Sequence, residues 1–155
     1  MRRCYVSLGS NVGDRAEHLR AGLAMVCAHD ACRTSKVYET EPVGGVVQDD
    51  FWNLVVEITT SASVYELLVR ARAAERSRGR TREVHWGPRT LDVDVLLAGD
   101  ETSDDPEILV PHPRLYQRSF VLVPLHELAP DLVSDEQLRA GAGRVVALGT
   151  LESLR

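Results

Sequence analysis

Lysine is all but missing from this chain, with Lys36 the only one. Aromatic residues make up just 5% of it, and cysteine occurs three times. No apolar run comes near the roughly 20 residues that cross a bilayer. Each scarcity removes a class of function. Without a spanning run, no membrane partner is expected. The apolar stretch behind Arg2 and Arg3 is cut by Gly9, Ser10 and Asn11, unlike a signal peptide, so a cytoplasmic location is expected. Cys4, Cys27 and Cys32 are odd in number and lack paired C-x-x-C spacing, which argues against a disulfide framework or a zinc site. The segment CAHDAC offers Cys27, His29 and Cys32 to a metal but falls at a helix end without a fourth ligand, so ordinary thiols are expected. A net charge of −5 speaks against nucleic acid as a partner. Two phosphate-binding signatures, G-x-x-x-x-G-K-[ST] and G-x-G-x-x-G, are also absent. Any phosphate bound here must therefore be neutralised by metal and arginine instead of a glycine loop.

What is present is one domain's worth of core: 155 residues, 44% hydrophobic, read as a single domain over 1–155. Seven arginines fall between Arg70 and Arg89 with only Glu75 and Glu83 to oppose them, whereas DETSDDPE (100–107) holds five acids and no base. The acidic run reads as a solvated hairpin loop.

CYVSL (4–8) reads as a strand and GSNVGD after it as a turn, with GSN (9–11) chiefly a strand-to-helix connection. Asp14 with Glu17 predicts a helix start, and Leu19, Leu23 and Val26 carry the helix to about residue 29. SKVYET (35–40) and FWNLVVEITT (51–60) read as strands. Ser63 with Glu66 predicts a second helix, lined by Val64, Leu67, Leu68, Ala71 and Ala74 and ended by Gly79. A fourth strand spans about 90–98, and a short helix within 118–132 stops near Pro130. The order β, α, β, β, α, β predicts an α+β fold with a ferredoxin-like core, its antiparallel sheet covered on one face by two helices, plus a C-terminal extension.

In the fourth strand, alternation puts Asp92, Asp94 and Leu96 on one face and Leu91, Val93, Val95 and Leu97 on the other. Carboxylates two apart on one strand face sit about 6 to 7 Å apart at Cα and can converge on one cation or a close pair, as in two-metal phosphoryl transfer. Mg²⁺ suits them, since it takes few carboxylates and fills its octahedron with water and phosphate oxygens. D-x-D alone is equally compatible with an inert solvent-facing strand. The neighbours shift the balance: Arg80, Arg82 and Arg89 precede it, and His112 and Arg118 follow, guanidinium being a bidentate match for phosphate. Trp86 is either a flat cover for the site or a core residue.

Together YVSLGSNVGDR (5–15), YETEPVGG (38–45), DFWNLVVEI (50–58), WGPRTLDVDVLL (86–97), VPHPRL (110–115) and RSFVLVPLHELAPDL (118–132) resemble, in order, the 6-hydroxymethyl-7,8-dihydropterin pyrophosphokinase family. The resemblance implies transfer of pyrophosphate from ATP to a pterin alcohol, with AMP released, in folate biosynthesis. It implies that Asp92 and Asp94 hold two Mg²⁺ ions, that Arg89, His112 and Arg118 grip the triphosphate, and that Glu75 and Trp86 lie at the nucleotide. Residues 79–86 would close over both substrates, carrying Arg80 and Arg82 to the phosphates, with Arg80, Arg82 and Arg89 catalytic beside the two acids. The pterin would stack between Phe51 and Phe120, with Asn53 at its amide edge and the backbone of Thr40, Pro42 and Val43 around it. Asp94 is a candidate general base, and a monomer is expected. Three departures from the family pattern stand out: a loop between Gly79 and Trp86 one residue shorter, His85 where arginine is frequent, and Arg72 where a glutamine packs near the nucleotide. Two other readings compete: a nucleotidyltransferase releasing pyrophosphate, and a ligand sensor without chemistry.

Overall fold

The computed structural model describes residues 1–42, 47–79, 90–141 and 143–154. Val43, Arg80, Arg82, His85, Trp86 and Arg89 lie outside the described residues.

Among the described residues, eight strands and four helices follow in chain order: β1 (Arg2–Ser10), α1 (Arg15–Cys27), β2 (Ala31–Thr34), β3 (Val37–Thr40), β4 (Phe51–Thr60), α2 (Val64–Ser77), β5 (Asp92–Ala98), β6 (Ser103–Asp105), β7 (Ile108–Val110), α3 (Ser119–Leu128), α4 (Asp135–Ala140) and β8 (Val145–Gly149). The main sheet runs β5-β1-β4-β3-β8, with β2 also on β4, and every pairing is antiparallel. The acidic run forms the small β6–β7 hairpin.

Both helix starts are where the sequence places them. The Asp14 carboxylate accepts from the Glu17 amide at 3.1 Å, and the Ser63 hydroxyl accepts from the Glu66 amide at 3.0 Å, each satisfying one otherwise orphaned N–H.

Three boundaries differ, each for a local reason. β1 runs on through Gly9 and Ser10, because both still pair with β4, at Asn53 and Trp52. The strand expected over 35–40 starts only at Val37, as β3, and an unexpected strand, β2 over Ala31–Thr34, precedes it along β4. Between them Ser35 is buried, and its hydroxyl accepts the Val55 N–H at 3.0 Å and donates to the Lys36 carbonyl at 2.8 Å. Lastly, the register of β1 on β5 shifts between Tyr5 and Val6. The bulge turns Leu97 away from Leu91, Val93 and Val95 and packs it with Leu96 on the opposite face.

The sheet therefore separates two apolar clusters. One packs Val6, Leu8, Leu54, Val56, Val93 and their neighbours against α1 and α2. The other packs Tyr5, Val55 and Leu96 against Val121, Leu122 and Leu125 of α3, so the sheet is covered on both faces and not on one alone. Within that second layer the buried Glu57 carboxylate accepts from Tyr5 Oη at 2.8 Å and Arg33 Nη2 at 3.1 Å, and Arg33 also reaches the Leu128 carbonyl at 2.8 Å.

Burial pushes the Glu57 carboxyl up, but the bonds from Tyr5 and Arg33 outweigh it and hold the group below its ordinary value. Burial, aided by the bond to Glu57, pushes the Tyr5 phenol up to about 12. A carboxyl depressed by folding stabilises fully above its unfolded pKa, and that contribution fades as pH falls through the folded value. Denaturant melts of Glu57→Gln are expected to show a loss on the order of 1 kcal/mol at pH 7. The gap to the parent should narrow in acid, below the ordinary glutamate range near 4.5. An equal gap at both pH values would mean that the charge contributes nothing.

Candidate active site

Antiparallel pairing aligns side chains in rows, and one row crosses the sheet from Asn53 on β4 through Gly9 on β1 to Asp92 on β5. The next row, two residues further along β1, holds Val55, Ser7 and Asp94. Phe51 lies two residues before Asn53 and shares its face, the face that α3 covers further along through Tyr5, Val55 and Leu96. Both acids and Phe51 and Asn53 of β4 are thus brought to one surface, as strand parity predicts.

Asn53 is 6% exposed, and its Nδ2 donates to Thr40 Oγ1 on β3 at 2.6 Å. Pro42 follows at the partly exposed end of that segment. Phe120, in the first turn of α3, packs partly against the second cluster, with the Arg118 guanidinium 5.3 Å from its ring centroid. Asn11, at the end of β1, donates through Nδ2 to Gln48 Oε1 and to the Asp49 carbonyl, each at 2.8 Å, and so ties the approach to β4 onto the strand that carries Gly9.

The acids remain partly exposed: 32% for the Asp94 side chain, against 20% for that of His112. His112 is fixed from two sides. Its backbone N–H donates to the Leu96 carbonyl on the outer edge of β5 at 3.0 Å, and its Nδ1 accepts the Arg114 N–H at 3.2 Å. That leaves Nε2 facing Asp94 Oδ1 at 4.0 Å, beyond hydrogen-bond reach. The segment carrying it contains a cis Val110–Pro111 peptide. Burial, then the Arg118 charge, pulls the His112 imidazole below its ordinary value, with Asp92 opposing. Burial likewise lowers Arg118, while Asp94 pulls it back toward the charged form. Two cations and an imidazole thus face two carboxylates at one rim of the sheet, in a partly dried setting where charge acts more strongly than in bulk water. Arg114 belongs to this group and was not singled out from sequence; its place two residues after His112 was the available signal.

Glu75 is 3% exposed. Its Oε2 accepts the N–H of Val93, the residue between the two acids, at 3.0 Å, and its Oε1 accepts from Arg72 at 3.2 Å. Among the described residues β5 is the terminal strand of the sheet, so the outward N–H of Val93 finds no strand partner there and the carboxylate takes that place. Arg72 also lines an open groove of about 560 Å³ between α2 and the β6–β7 hairpin, with Leu68, Arg76, Pro106 and Glu107.

Among the described residues no three His, Cys, Asp or Glu side chains gather to hold a metal. The paired acids of β5 do fit Mg²⁺, which needs one or two carboxylates and leaves its other positions to water and phosphate. Also among the described residues, no helix is long and apolar enough to cross a membrane.

A profile of the family described as 7,8-dihydro-6-hydroxymethylpterin-pyrophosphokinase (HPPK) matches residues 5–130. The chain is 49% identical over 127 residues to a 2-amino-4-hydroxy-6-hydroxymethyldihydropteridine pyrophosphokinase of Bacillus subtilis, covering 80% of this chain and 76% of that protein. It is 40% identical over 135 residues to the protein of the same name from Pseudomonas aeruginosa, covering 85% and 83%. The crystal structure of Plasmodium falciparum HPPK-DHPS with SDX-DHP has a similar fold. It superposes with a TM-score of 0.61 at 15% identity over 84% of this chain and 40% of that one.

Proposed function

The chain belongs to the 7,8-dihydro-6-hydroxymethylpterin-pyrophosphokinase family, whose enzymes transfer a pyrophosphoryl group to hydroxymethyldihydropterin in folate biosynthesis, and from that premise we propose how its residues divide the work. The pterin lies on the face of Phe51 and Asn53, between the rings of Phe51 and Phe120, with Thr40, Pro42 and Val43 along its amide-like edge. ATP comes from the other side, its phosphates toward His112 and Arg118 and its base toward the groove beside Arg72. Arg80, Arg82, Trp86 and Arg89 complete the nucleotide side. The observation that carries this division is the shared sheet face: the Asn53 carboxamide and the paired carboxylates of Asp92 and Asp94 stand on it with β1 between them.

The hydroxymethyl oxygen attacks the β-phosphorus of ATP and loses its proton, with Asp94 the candidate acceptor, the bond from that phosphorus to the bridging oxygen of AMP breaks, and the pyrophosphoryl group ends on the pterin. Asp92 and Asp94 would hold two Mg²⁺ ions, which when bound supply charge neutralisation on the polyphosphate. Arg118 contributes a charge already partly stripped of water and oriented over Phe120, so little reorganisation is needed as the transferred group develops charge. His112, clipped to Leu96 and Arg114, offers a neutral Nε2–H donor to a phosphate oxygen. Glu75 acts on the nucleotide side by holding the β5 backbone between the acids.

We read the β5-β1-β4-β3 order as the ferredoxin-like core, with α3, α4 and β8 as its C-terminal extension. We take the enzyme as a single domain over 1–155, acting as a monomer in the cytoplasm. Incubation with ATP, Mg²⁺ and 6-hydroxymethyl-7,8-dihydropterin is expected to release AMP and pterin diphosphate in equal amounts. Release of pyrophosphate instead would identify a nucleotidyltransferase, and binding without turnover a sensor; either overturns the proposal.

A further inference from the structure

Gly9 occupies a middle strand of the sheet in an ordinary extended row, and its φ is not among the positive values found at Gly13, Gly79, Gly99, Gly143 and Gly149. Backbone conformation therefore does not demand glycine there. Space does. A Cβ built on Gly9 would stand 2.3 Å from Asn53 Oδ1, 3.4 Å from its Cγ and 3.5 Å from Phe51 Cδ1. The first of these is far inside contact distance, so the Asn53 carboxamide lies across β1 in the volume a side chain would fill.

The amide is anchored at its other end, where Nδ2 donates to Thr40 at 2.6 Å, and it is 94% buried, so it has little freedom to swing aside. Across the same row, on the far side of Gly9, stands Asp92. With strands about 4.8 Å apart, Asn53 and Asp92 are separated by roughly 10 Å of backbone, and the position between them carries no side chain.

We propose that Gly9 is a specificity-determining position: its missing side chain lets the Asn53 carboxamide lie over β1, on the row that leads to the Asp92 carboxylate, where it meets the amide-like edge of a flat bicycle whose hydroxymethyl arm points to the acids. This rests on the functional reading above and adds the position that lets the recognising amide take its place. Any side chain at position 9 displaces the recognising amide.

The test is Gly9→Ala in steady-state kinetics with ATP and 6-hydroxymethyl-7,8-dihydropterin. A methyl group obstructing a shaped pocket is expected to raise KM for the dihydropterin by about tenfold or more. KM for ATP should stay within about twofold, and circular dichroism should match the parent. In an Asn53→Ala background the same change should add less than about twofold, because the atom it strikes is gone. If Gly9→Ala fails to fold, the double variant must fold for the same reason. An unchanged dihydropterin KM, equal losses for both substrates, additive losses in the cycle, or a double variant that also fails to fold each overturns the inference while the functional reading stands. A parent enzyme with no turnover overturns both.

Discussion

Asp94→Asn is expected to cut turnover by about 10²- to 10³-fold, the scale on which removing one charge-stabilising group from a phosphoryl-transfer site raises the barrier. The protein should stay folded. Asp94 is partly exposed on the terminal strand, asparagine has nearly the same shape, and the core side of β5 is carried by Val93 and Val95. The change removes charge without volume. If the acid acts by holding Mg²⁺, the residual rate should require more Mg²⁺ to saturate, because a neutral amide oxygen is a weaker ligand for a hard cation. Asp92→Asn should behave likewise. Rate against Mg²⁺ concentration, with melting temperature as the fold control, checks both. A variant with near-normal rate and unchanged Mg²⁺ dependence would remove these residues from the metal assignment.

The acids were legible in advance because strand parity is robust to small errors of boundary: whatever the ends of β5, Asp92 and Asp94 fall on one face and Val93 on the other. β4 was legible over its full length for a related reason, since FWNLVVEITT is both β-branched and apolar on two faces. β2 was not. Its residues Ala31, Cys32 and Arg33 are exposed, so no hydrophobic alternation marks it, and it exists because β4 offers an edge on which to pair. β8 is the same case at the other end of the sheet. Parity itself fails at a bulge, which is why Leu97 changes sides.

Cross-strand facts were equally hidden. GSN reads locally as a turn, and only the register of β1 on β4 puts Gly9 under the Asn53 amide. Glu75 reads as a nucleotide residue only through resemblance, whereas besides Arg72 it bonds the Val93 backbone, a contact between a helix and an edge strand that no local pattern encodes.

Arg118→Ala is expected to lower kcat/KM by about 10²-fold, and Arg118→Lys is expected to recover only a minor part of it. The reason lies in how the group is held. Its guanidinium stands 5.3 Å from the Phe120 centroid, half desolvated, with Asp94 as the main force keeping it charged. A lysine ammonium keeps the charge but lacks the planar fork that meets two phosphate oxygens at once, and it is more strongly hydrated, so it loses more on entering the same half-dry space. Stability should move little or rise slightly in Arg118→Ala, because a partly buried cation costs desolvation that its removal recovers. The loss should appear in both KM for ATP and kcat, since the arginine meets the polyphosphate before and during transfer. A lysine variant that restores parent kinetics would show that charge alone suffices, and the bidentate assignment would fall.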